Sequence, residues 1–92
     1  MTTGSAPQID ASKPLRLSLT PRETAILCLV AAGLTTTEAG RRLHISRHTV
    51  AQHIADMLHR AEASTRGELI ARAYAGGILA AGTWPPRARA AQ

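Results

Sequence analysis

The sequence predicts an all-α domain of four helices. Three observations predict it: apolar residues recur at helical spacing, no stretch alternates in the manner of a strand, and a Thr or Ser stands ahead of each apolar run. The helices are expected within residues 19–79. Residues 1–18 mix Thr, Gly, Ser, Ala and Pro without periodicity, which predicts a flexible N-terminal arm, and the prolines after Leu79 predict a flexible C-terminal tail over residues 80–92.

The first helix opens at Thr20-Pro21-Arg22-Glu23: a capping hydroxyl, a proline at the first helical position, and a glutamate placed to reach back. Ile26, Leu27, Leu29 and Val30 make its apolar face, and Gly33 supplies a left-handed stop. Thr35 and Glu38 repeat the capping spacing for a short second helix that ends near Leu43. Ser46 caps the third, whose apolar residues are Val50, Ile54, Met57 and Leu58. Thr65 and Glu68 give a third capping box, followed by Leu69, Ile70, Ala73 and Tyr74 up to Gly76-Gly77.

A chain of 92 residues is sized for one domain. Its formal net charge is +5, and ten of its eleven basic residues are Arg, whose planar fork suits phosphate and guanine. Cys28 is the single cysteine and sits in an apolar run, so no internal disulfide forms. The first 18 residues carry Asp10 and two prolines with no sustained apolar stretch, so they read neither as a signal peptide nor as a membrane span; the expected location is cytoplasmic, with no membrane partner.

A short helix, a tight turn and a longer helix over residues 36–55 is the arrangement that presents one helix to the major groove of DNA. Leu43, Ile45, Val50 and Ile54 are placed to lock the pair together. The other face of the third helix offers Arg47, His48, Ala51, Gln52, Ala55 and His59. Arg41, Arg42, Arg47 and Arg60 outnumber Asp56 over residues 41–60, which supplies phosphate contacts and a salt-dependent affinity.

Leu19-Thr20-Pro21-Arg22-Glu23, Ala32-Gly33-Leu34, Glu38, Arg42-Leu43, Ile45-Ser46, and Thr49-Val50 with His53 together resemble the LuxR-type helix-turn-helix domain over about two thirds of the chain. That resemblance implies a four-helix fold whose third helix enters the major groove of double-stranded DNA, and a role in regulating transcription. The family domain is usually the C-terminal output end of a larger regulator, and stand-alone versions of this size exist. The resemblance places Ala51, Gln52 and Ala55 toward the bases and Arg47, His48 and Thr49 near the backbone. Thr35, Thr36, Arg41, Arg42, His53 and Arg60 complete the expected DNA-contacting set. Gln52 alone among the base-facing residues can read an adenine edge bidentately, while the alanines offer only apolar contact to a thymine methyl. The fourth helix is the family's usual dimer contact, which here implies a homodimer through Leu69, Arg72 and Ala73.

Two departures carry expectations of their own. Ala61-Glu62-Ala63 stands where the family has Leu-Gly-Val, and a glutamate in a left-handed cap costs about 1 kcal/mol, so the third helix is expected to run on or bend. Ala39-Gly40 replaces Ile-Ala, which predicts lost apolar volume and a weaker second helix.

Other classes fare less well. His44 and His48 lie four apart, but no Cys or carboxylate joins them at ligand spacing, so neither zinc nor any other cofactor is expected. No nucleophile-base pair, glycine-rich phosphate loop or carboxylate pair argues for an enzyme. A sigma-factor end shares part of the pattern but not a helix after residue 64. The open alternative is an interaction module of the same fold that binds RNA polymerase or a larger regulator.

Overall fold

A computed structural model describes residues 14, 15 and 17–89. Four helices follow one another, α1 (Pro21–Ala31), α2 (Thr36–Leu43), α3 (Arg47–Ala61) and α4 (Arg66–Ala75), with no β-strand among the described residues beyond one isolated antiparallel bridge between Leu79 and Ala88. The all-α expectation holds.

Each helix begins as its cap dictates. The Thr20 hydroxyl accepts from the Glu23 N–H at 3.1 Å while the Glu23 carboxylate accepts from the Thr20 N–H at 3.0 Å, and Thr35 with Glu38 repeats the pair at 3.1 and 2.9 Å. At α4 the box is only half made. Thr65 accepts from the Glu68 N–H, but the Glu68 carboxylate returns to the N–H of Ser64, one residue further out.

All four helices stop in one way. Gly33, His44, Glu62 and Gly77 take positive φ, and the next residue's N–H reaches five residues back: Leu34 to Leu29, Ile45 to Gly40, Ala63 to Leu58 and Ile78 to Ala73. Leu34, Ile45, Ala63 and Ile78 then pack against the core, as the hydrophobic contact of this stop requires. Glu62, with φ 55°, therefore ends α3 in the left-handed conformation, and α3 does not run on. Two satisfied carbonyls and the burial of Ala63 offset the roughly 1 kcal/mol that a side chain pays there.

The core is a continuous cluster. Ile26 and Leu27 of α1, Ala39 of α2, Val50, Ile54, Met57 and Ala61 of α3, and Leu69 and Ala73 of α4 are buried together with Leu15 and Leu79 from outside the helices. Both flanks thus contribute. The arm expected over residues 1–18 lies outside the described residues up to residue 13 and at residue 16, but Leu15 is buried and its N–H donates to the Arg72 carbonyl at 3.0 Å. The C-terminal stretch, expected to be a mobile tail, doubles back: Ala80 N–H donates to the Arg87 carbonyl at 2.8 Å and Arg89 N–H to the Ile78 carbonyl at 3.0 Å. Residues 90–92 lie outside the described set. Burial of Leu79 supplies the anchoring that loss of helical periodicity conceals.

No helix among the described residues is long and apolar enough to cross a membrane.

Candidate nucleic-acid interface

The turn between α2 and α3 is built around a close approach. A Cβ on Gly40 would stand 2.6 Å from the Ile45 carbonyl oxygen and 3.3 Å from the Arg47 nitrogen, so a hydrogen at this position is what lets α2 seat against the start of α3. The glycine read as a weakness in the sequence is a fitting element of the turn. Arg22 adds a clasp from α1, its Nη1 donating to the Leu43 carbonyl at 3.4 Å.

Ser46 starts α3 by accepting from the Thr49 N–H at 3.0 Å, and its hydroxyl also meets the Thr49 hydroxyl at 3.0 Å. Thr49 is therefore engaged in holding the helix N-terminus. Val50, Ile54 and Met57 point into the core, which turns Arg47, His48, Ala51, Gln52 and Ala55 outward, all exposed. His48, Ala51, Gln52 and Ala55 share one face, and their span of about 10 Å along the axis matches a major groove about 12 Å wide. His53 is half-buried at the edge of that face.

Arg41 and Arg42 are exposed in the last turn of α2, Thr35 is exposed at its cap and Thr36 half-buried behind it. Among the described residues no ion pair involves Arg41, Arg42 or Arg47. Glu38 is held below the usual carboxylate range by the Thr35 N–H it accepts, then by the Thr35 hydroxyl, with Arg41 adding to both.

Arg60 is placed differently from the other three. Its Nη2 donates to both carboxylate oxygens of Glu23 at 3.0 Å, and its Nε lies 3.3 Å from Asp56. Glu23 is 5% exposed. The guanidinium thus ties the C-terminal half of α3 to the start of α1, and two carboxylates already neutralise it. Sequence spacing reveals Glu23 as a cap but carries no sign of a partner 37 residues away.

The three residues expected at a dimer contact face inward. Leu69, Arg72 and Ala73 are 2%, 5% and 0% exposed. Arg72 crosses from α4 to the end of α3, where its Nη1 donates to the Ala61 carbonyl at 2.8 Å, and Glu68 lies 3.9 Å away. A cation on the last carbonyls of a helix is favoured by the helix dipole, so this arginine is a clasp within the chain.

On α1 Cys28 is half-buried. Burial pushes its thiol up, and a hydrogen bond with the Ala88 backbone partly opposes that.

A short helix, a tight turn around a buried glycine, and a second helix with a polar, basic outer face define a helix-turn-helix protein. The family model for bacterial regulatory proteins of the luxR family matches residues 17–73, and the chain belongs to that family. It is 42% identical over 57 residues to the transcriptional regulatory protein LiaR of Bacillus subtilis (strain 168), a stretch that covers 62% of this chain and 27% of that relative. The chain thus aligns with little more than a quarter of the relative's length.

Proposed function

We propose that this chain binds duplex DNA with α3 in the major groove and regulates transcription in the cytoplasm. The observation that carries the reading is the exposed face of α3 with His48, Ala51, Gln52 and Ala55, together with exposed Arg41 and Arg42 in the last turn of α2 and Arg47 at the start of α3, all three arginines outside every ion pair among the described residues.

The division of labour follows from chemistry. Gln52 can donate to N7 and accept from N6 of one adenine, Ala51 and Ala55 can lie against thymine methyls, and the arginines with the N–H groups at the start of α3 can meet phosphates. Thr49 and His53 lie on α3 with that face, and Thr35 and Thr36 stand at the start of α2. With only one bidentate reader, part of any preference comes from the shape and stiffness of the duplex. A second copy pairing through α4 meets Ile70, Ala71 and Tyr74, which are half-buried, rather than the buried Leu69, Arg72 and Ala73.

Selection of binding sites from random duplexes, followed by sequencing at two salt concentrations, tests the reading. An enriched motif and an affinity that falls with salt are expected. Arg47→Ala should reduce the salt slope by about one unit, whereas Arg60→Ala should leave it nearly unchanged. No binding at either salt concentration would overturn the reading in favour of an interaction module that docks on RNA polymerase or a larger regulator.

A further inference from the structure

Residues 78–89 lie beyond the family match and fold into a compact turn with a distinctive tip. Leu79 anchors it in the core, Pro86 is buried, and Ala88 meets Cys28 on α1. Arg89 lies across the end of α4, since a Cβ on Gly77 would stand 3.0 Å from its Nη1. At the tip Trp84 is 77% exposed, the one large hydrophobic side chain so exposed among the described residues. Arg87 and Arg89 follow it within five residues and are both exposed, and the sequence holds no Asp or Glu after Glu68.

Leaving a tryptophan in water forgoes the free energy of burying its large ring, and the turn beneath it is held by two backbone hydrogen bonds and a buried leucine. Trp and Arg are the residues most enriched where binding energy concentrates. The hydrogen bonds that seat the turn run to α4, from the Leu79 N–H to the Ala73 carbonyl, and to Cys28 on α1, and none among the described residues joins it to α2 or α3.

We propose that the Trp84 turn is a docking surface for an acidic segment of another protein, one that offers an apolar side chain to the indole and carboxylates to Arg87 and Arg89. Charge decides the occupant. A second copy of this chain, at +5 overall and with the same two arginines, would meet the tip with like charge. The proposal stands whether or not α3 binds DNA.

Trp84 is the single tryptophan, so its fluorescence reports on this surface directly. The full chain is titrated with a synthetic amphipathic peptide of Glu, Leu and Ala, with the same peptide carrying Lys in place of Glu, and with duplex DNA. The Glu peptide should shift the emission to the blue with saturation, and the Lys peptide and the duplex should not. By anisotropy of a labelled peptide, Trp84→Ala should weaken binding about thirtyfold and Arg87→Ala with Arg89→Ala about tenfold. DNA binding by Trp84→Ala should match that of the parent chain. Absence of a shift with the Glu peptide, or equal peptide affinity in Trp84→Ala, would overturn the proposal. A shift produced by duplex DNA alone would overturn it too, by assigning the tip to nucleic acid.

Discussion

The α2–α3 pair and the α4 region with its two flanking segments are built from the same kinds of cap and stop, yet they put their charges to opposite uses. In the first, Arg41, Arg42 and Arg47 stay exposed and outside every ion pair among the described residues, and the exposed side chains that follow Arg47 along α3 are small or polar. In the second, Arg72 is buried against the end of α3, and Leu15 and Leu79 from the flanking segments are buried and hydrogen-bonded to the carbonyls of Arg72 and Ala73 on α4. Arginine content alone does not mark a contact surface. An arginine whose guanidinium already meets a helix-end carbonyl or a buried carboxylate is part of the scaffold, as Arg72 and Arg60 both are.

The contrast breaks most visibly at Arg72. Arg72→Ala removes the donor to the Ala61 carbonyl and leaves Glu68 buried without its neighbour, so chemical denaturation should show a loss of about 3–5 kcal/mol. A variant that kept its stability and changed only the association state would return this residue to a dimer surface.

Next in size is the turn itself. Gly40→Ala forces a methyl onto the Ile45 carbonyl, and a cost of about 1–3 kcal/mol, lessened by the better helix propensity of alanine, should appear as a lower thermal midpoint. DNA binding should weaken along with it, because α2 and α3 would no longer seat together.

Glu62→Gly probes the other end of α3 and should raise stability by up to about 1 kcal/mol, since the φ of 55° suits glycine at no steric cost. Equal stability of the two proteins would show that the left-handed stop costs glutamate nothing here.

The smallest effect is a pH dependence at the α2 cap. The Glu38 carboxyl titrates below its ordinary range in the folded chain, so its contribution is fully present above the ordinary carboxylate pKa and is lost as pH falls through the lower folded value. The difference in thermal midpoint between the parent chain and Glu38→Gln should therefore close as pH falls from neutral to below the ordinary carboxylate range. A difference that persisted at the acid end would contradict the cap's role.

The helices and their order were legible because each cap is local: Thr20, Thr35, Ser46 and Thr65 each find a partner N–H within three residues. The outward face of α3 was legible for the same reason, as periodicity fixes which residues turn inward. What escaped was long-range. The pairing of Glu23 with Arg60 and the seating of Leu15 against α4 join residues far apart in sequence, and no spacing rule marks them. The left-handed stop at Glu62 is hidden because the contacts of Ala63 that offset its intrinsic cost are tertiary. The C-terminal turn was hidden because a single buried leucine followed by prolines has no period to read.

Whether the exposed face of α3 reads DNA is decided by comparing the base preferences of the parent chain and Gln52→Ala by site selection at one salt concentration. An adenine preference at one position, about 1–3 kcal/mol deep, should disappear in the variant while folding and salt-dependent affinity are retained. An unchanged motif in Gln52→Ala would contradict this reading.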